Sequence, residues 1–143
     1  MPAEQQAATA SDRVVTRLVA TRWTDKLVKK GWAPIAHSFL DLYAQLPEPL
    51  TTTEAMVVVM LMRFKWDDRH PFPSLKRLAR MMGLGSTSIR NHIRSLEKKR
   101  YLTRIYRTGF SNSFDLTPLF QALEATLERS EKNVARAEAV GTA

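Results

Sequence analysis

The residues best placed to do chemistry lie between Ser86 and Lys98, in the stretch STSIRNHIRSLEK. Wound as a helix, this stretch puts Ile89, Ile93 and Leu96 on one face. Thr87, Asn91, Arg94 and Lys98 then fall within a wedge about 60° wide on the opposite face. None of the four is acidic, and none is large and apolar. A helix of this kind fits a DNA major groove, about 12 Å wide, with its N-terminal half turned toward the base edges. There Arg94 would bond the two acceptors of guanine, and Asn91 would bond adenine bidentately. Arg90 flanks the wedge and would reach either a base or a phosphate. Ser86, Thr87 and Ser88 open the helix, where backbone amides and hydroxyls suit a phosphate. An ordinary solvated face is the alternative reading of the same wedge.

The charge is gathered in the same region. The chain has 143 residues and a formal net charge of +8. Residues 74–108 hold Lys76, Arg77, Arg80, Arg90, Arg94, Lys98, Lys99, Arg100, Arg104 and Arg107 against Glu97 alone, a net +9. Everything else sums to −1. A solvated helical surface mixes signs, often in pairs four residues apart, and this window barely does. It reads as a surface for a polyanion. Ser74, Lys76, Arg77 and Arg80, on a preceding helix, are candidate phosphate contacts. Arg104, Arg107, Ser111 and Asn112 are candidates from a following hairpin, whose tip would enter a minor groove or clasp phosphate.

Other chemistries find little support. With no Cys there is no disulfide, thiol catalysis or thiolate metal site. His37, His70 and His92 lack metal-ligand spacing, and His92 falls beside the apolar stripe, where a packing role is expected. Asp67 and Asp68 adjoin Arg69 and His70 in a loop, with no further carboxylates to complete a metal or acid–base site. Gly83 and Gly85 frame a helix turn without the Gly-Lys-Ser/Thr of a phosphate-binding loop. The expectation is a protein that is not an enzyme and uses no cofactor or metal. The opening residues, MPAEQQAATASDR, lack the apolar stretch of a secretory signal. The longest apolar run, Ala55–Met62, has eight residues, where a membrane helix needs about twenty. A cytoplasmic, nucleoid-associated protein without membrane contact is expected.

The elements that must position these side chains follow from periodicity and punctuation. A 44% hydrophobic content suits a packed core. Residues 1–32 read as a basic N-terminal arm and connector, mobile or loosely helical over 1–22 and ending in WTDKLVKKGW. Residues 33–117 read as the main domain. Pro34 suits a first helical turn, and Ile35, Phe39, Leu42, Tyr43 and Leu46 form one helical face before Pro47 and Pro49 stop it. Thr51 with Glu54 has capping-box spacing and opens a helix to about Trp66, buried on most sides. Ser74 caps a helix from Leu75 to Met82, with Leu75, Leu78, Ala79 and Met82 inward and Gly83 ending it at positive φ. Leu84 plugs the turn, and Ser86 is expected to cap the next helix, to about Lys99. A hairpin follows, Tyr101–Arg107 and Ser113–Leu116, turning around Gly109 and Asn112. Thr117 and Pro118 start a last helix over 118–143, expected to fray from Glu131. The methionines Met56, Met60, Met62, Met81 and Met82 read as core filling.

Three helices and then a two-stranded hairpin, with a three-residue turn between the second and third, is the order of a winged helix-turn-helix. The stretch PFPSLKRLARMMGLGSTSIRNHIRSLEKKRYLTRIYRTGFSNSFDLT resembles the winged helix-turn-helix domains of bacterial and phage regulators and replication initiators. The resemblance covers about Thr51 to Thr117. Its most specific pieces are the Pro-Ser before the first motif helix, the Leu78–Ala79 pair, and ST-x-I-R-x-H-I-R-x-LE. Ala79 gives the small residue that the close approach of the two motif helices needs. The family commonly has Gly just after the recognition helix, and this chain has Arg100. A non-Gly residue at positive φ costs roughly 1–2 kcal/mol, so the helix is expected to close without it. Phe110 is expected to fold back onto the core, with a wedge against DNA or a partner contact as alternatives.

The fold class expected is mainly α with a small β-hairpin, a winged helix-turn-helix with extra N- and C-terminal helices. The resemblance implies sequence-specific double-stranded DNA binding, most simply by a transcriptional regulator. The front end GWAPIAHSFLDLYAQL resembles replication initiators or their accessory proteins more than compact regulators. A third reading makes the fold a scaffold for protein interaction through its N- or C-terminal helices. In that case Leu119, Phe120, Leu123 and Leu127 would dock a partner or a second copy as a homodimer, instead of packing on their own domain.

Overall fold

Thr9–Gly141 are described by the computed structural model, in which the chain divides between Pro34 and Ile35 into two units. In the first, α1 (Ala10–Ala20) is opened by a capping box between Thr9 and Asp12. It buries none of its residues. The short α2 (Asp25–Val28) is capped by Thr24, whose hydroxyl accepts from the Leu27 amide at 3.2 Å. Val28 is its one buried residue. The expected arm thus holds a helix over residues 10–20, while residues 1–8 lie outside the described part.

The second unit begins with α3 (His37–Leu42) and a 3-10 turn, Tyr43–Gln45. This helix starts three residues later than Pro34 indicated, and Ile35 packs on the core from the segment before it. The capping box of Thr51 and Glu54 opens α4 (Thr52–Arg63) as expected. The helix ends at Arg63, short of Trp66, which is left exposed. Two motif helices follow, α5 (Leu75–Met82) and α6 (Ser86–Lys98), then β1 (Thr103–Ile105) and β2 (Ser113–Asp115). The strands pair antiparallel in the register Thr103 with Asp115, Arg104 with Phe114 and Ile105 with Ser113. The paired part is shorter than the spacing predicted, because the loop takes 106–112.

The last helix, α7 (Thr117–Gly141), is anchored by the Asp115 carboxylate, which accepts from the Thr117 amide at 2.9 Å. It stays helical through Gly141 and does not fray at Glu131; Ala, Glu, Lys and Arg in that stretch are strong helix formers. Within this unit α3 packs on α7, and both α4 and α5 pack on α6. The core takes Val57, Val58 and Leu61 from α4, Leu78 and Ala79 from α5, and Ile89, Ile93 and Leu96 from α6, closed by Phe114, Leu116 and Leu119. Leu119 is 0% exposed, and Phe120 and Leu123 lean on the same core. Of the stripe read as a docking face for a partner or second copy, Leu119 is thus internal, while Phe120, Leu123 and Leu127 are half-buried. Two of the methionines also depart from the expected core role: Met56 and Met81 are exposed.

The two motif helices close in the same way with different residues. At the end of α5, Gly83 takes φ 65° and the Leu84 amide reaches back to the Ala79 carbonyl at 2.9 Å. At the end of α6, Arg100 takes φ 64°, its amide donates to the Glu97 carbonyl, and the Tyr101 amide donates to Leu96, both at 3.0 Å. A non-Gly residue at this position predicts a helix end without a positive φ. The structure corrects it: the left-handed turn is made by arginine. Tyr101 explains why. Its ring is buried, its hydroxyl donates to the Glu48 carbonyl at 2.8 Å and accepts from the Glu48 amide at 3.0 Å. These contacts outweigh a strain of about 1–2 kcal/mol at the preceding residue.

Candidate nucleic-acid interface

The geometry of α6 divides its side chains as the periodicity required. Ile89, Ile93 and Leu96 are fully buried, whereas Thr87, Arg90, Asn91, Arg94 and Lys98 are exposed. Arg90, Arg94 and Lys98 make no ion pair with any described residue. The start of the helix differs from expectation. Gly85, in extended conformation, occupies the N-cap position, and Ser86 is the first helical residue. No side chain caps the helix. Ser86 cannot cap because the turn from Gly83 is so short that the backbone is already helical there. Its hydroxyl and the exposed Thr87 hydroxyl stand beside first-turn amides that lack a side-chain acceptor, an arrangement suited to an anion.

On α5 the Ser74 hydroxyl accepts from the Arg77 amide at 3.1 Å, so it acts as the N-cap. Lys76, Arg77 and Arg80 are exposed. The Arg77 guanidinium lies 4.6 Å from the centre of the Phe64 ring, which Arg63 also approaches at 4.7 Å. The ring holds two cations close together with no acid between them.

The candidate residues of the wing take different places. The Arg104 guanidinium is only 17% exposed and is bound to Glu97 Oε1 at 2.8 Å. It ties β1 to α6 and neutralises the single acid of the basic window. Arg107 lies over two rings, 4.6 Å from the centre of Phe72 and 5.2 Å from that of Phe110. Phe110 is 73% exposed, so it does not fold back onto the core as expected. The core beneath the wing is already filled by Phe114, and Arg107 gives the ring a partner outside it. Ser111 is exposed and Asn112 half-buried in the same loop.

One group that holds the site together reads from the sequence only as half of a capping box. Glu54 on α4 is 2% exposed, and its carboxylate accepts from the Thr51 amide at 2.8 Å, Ser95 Oγ at 2.7 Å and Lys99 Nζ at 2.6 Å. Lys99 also donates to the Pro49 carbonyl at 2.8 Å. Burial pushes the Glu54 carboxyl up, but the hydrogen bonds from Lys99, Ser95 and Thr51 outweigh it and bring it down from 4.5 to about 2. Two of these partners sit on α6 or at its end, so the acid fixes the recognition helix against α4. An acid inside an otherwise apolar helix was the signal that could have found it. Phe72 was missed too; it lies in an extended loop whose Pro71 carbonyl accepts from the Phe114 amide of β2 at 2.9 Å.

Of the two loop carboxylates weighed for catalysis, Asp67 is paired. Asp67 binds the Arg69 guanidinium at 2.8–3.0 Å, which holds its carboxyl below the usual range. Burial raises Asp115, but the Thr117 hydrogen bonds and the nearby His70 and Lys65 charges leave it lowered overall. Among the described residues, no three of His, Cys, Asp or Glu converge to hold a metal ion, and no helix is long and apolar enough to cross a membrane.

Among curated proteins none matches the chain. Residues 48–102 match the model of a family described as a helix-turn-helix domain. That segment runs from the loop before α4, through both motif helices, to the residue before β1. Residues 48–102 thus have the arrangement of a helix-turn-helix, and the two-stranded hairpin that follows α6 gives the fold its winged form.

Proposed function

We propose that the winged domain binds double-stranded DNA in a sequence-dependent manner, with α6 in the major groove and α5 and the wing on the flanking phosphates. The observation that carries this is the exposed face of α6. Thr87, Arg90, Asn91, Arg94 and Lys98 project from a helix whose opposite side is locked in the core, and the one acid of that helix, Glu97, is tied to Arg104. Asn91 and Arg94 are the side chains for base edges, with Arg90 on a base or a phosphate. Ser86, Thr87, Ser88, Lys76, Arg77, Arg80 and Lys98 serve the phosphates. Arg107, Ser111 and Asn112 act from the wing. Arg104 and Ser74 support the interface, since each is engaged inside the fold.

Transcriptional regulation is the simplest role for such a domain. Selection of bound duplexes from a random library tests the reading. It predicts enrichment of a motif that Arg94→Ala and Asn91→Ala each relax at one position. Recovery of an unenriched pool would reduce the proposal to non-specific binding. Footprints at promoters, as against repeated sites in a replication origin, separate regulation from replication initiation.

A further inference from the structure

The wing carries a feature that groove and phosphate contacts leave unused. Phe72 and Phe110 are 54% and 73% exposed, and the Arg107 guanidinium lies over both rings. Arg107 has no carboxylate partner among the described residues. Both ends of this stack are tethered. Phe72 follows Pro71, which is bonded to β2, and precedes the Ser74 cap of α5 by two residues. The root of the wing is pinned to α6 by the Arg104–Glu97 pair. The stack therefore stands at the margin of the basic surface, with its cation inside and its aromatic faces outward.

We infer that this stack receives an unpaired base, so that the protein prefers duplex DNA that opens into a single strand beside its site. The inference rests on the duplex-binding reading above. Any base has a π face, and stacking on an aromatic side chain contributes about 1–3 kcal/mol per base without regard to sequence. A ring that wedges between two paired steps needs both of its faces. Arg107 covers one face of Phe110 and leaves one, which suits a base that has lost its stacking neighbour on one side. The guanidinium edge keeps its N–H donors for the phosphate of the same nucleotide. Its uncompensated charge favours a polyanionic strand over an apolar protein segment.

The test compares the full chain on a blunt duplex and on the same duplex extended by a short single strand at either end, at one salt concentration. The forked probe is expected to bind about tenfold tighter. Phe110→Ala brings that ratio to about one, and Phe110→Tyr keeps it. With 5-iodouracil at the first unpaired position, irradiation places the adduct on Phe110 or Phe72. Equal binding of the two probes overturns the inference, as does a preference that survives Phe110→Ala or an adduct confined to α6. Duplex binding without fork preference leaves the duplex reading standing. Fork or single-strand binding without duplex binding removes that reading and keeps the stack's role. Binding of neither probe removes both.

Discussion

Replacing Glu54 by Gln tests how the recognition helix is held. The carboxylate is buried and takes three hydrogen bonds, one of them from the Lys99 ammonium. Its carboxyl is lowered from 4.5 to about 2, and a shift of that size corresponds to about 3 kcal/mol of stability. Because the folded-state value lies below the unfolded one, this contribution is complete above about pH 4.5. It is lost progressively as pH falls toward about 2. Glu54→Gln removes the charge while keeping the shape, so Lys99 loses its counter-ion and retains only the Pro49 carbonyl. The expected cost at pH 7 is about 2–4 kcal/mol, at or below the usual cost of breaking a buried pair because Lys99 can turn toward water. Urea unfolding of both proteins across pH 7 to 2 reads it directly. The two stabilities should converge as pH falls below about 4.5. Asp12, Asp67 and Asp115 are also lowered, but they are common to both proteins and cancel in the difference. A difference below about 0.5 kcal/mol at pH 7, or one that stays constant down to pH 2, would refute the clamp.

Three further outcomes follow from the geometry. Arg94→Ala should cost roughly 1–3 kcal/mol of binding on the preferred sequence and little on random duplex; an equal loss on both would make Arg94 a phosphate contact. Leu119→Ala should destabilise the fold by about 2–5 kcal/mol, independently of protein concentration, and a loss that disappeared at high concentration would return this residue to an intermolecular interface. Arg100→Gly relieves the positive φ at the end of α6 and adds flexibility to the unfolded chain, for a net gain of up to about 1 kcal/mol in thermal or urea unfolding. A destabilised variant would show that the arginine side chain makes a contact worth more than the strain.

Much of the motif could be read before any coordinates, because its signals are local. The Ile89, Ile93 and Leu96 stripe, the Thr51 and Ser74 caps and the Gly83 turn each follow from residues within about one helical turn of one another. What was misplaced depends on distant partners. Arg104 looked like a free wing cation, and only the fold brings Glu97 to it. Phe110 looked like a core residue because nothing in the sequence says that Phe114 already fills that place, or that Arg107 lies over its ring. Arg100 looked unable to close α6, since the reward for doing so is the burial of Tyr101 against a loop some fifty residues earlier. Leu119, Phe120, Leu123 and Leu127 carry an apolar stripe that suits a dimer or a core equally well, and in the fold only Leu119 of the four is fully buried.

One basic surface is expected to bind a duplex through its charge. Titrating the full chain against random-sequence duplex at increasing salt measures this most directly. If about six of the exposed cations of α5, α6 and the wing neutralise phosphates, log K should fall with log salt at a slope of about −5. Charge reversal at Arg80 and Arg90 together should flatten that slope by about two units. Binding with a slope near zero, a slope unmoved by the double variant, or no binding at low salt would contradict the account.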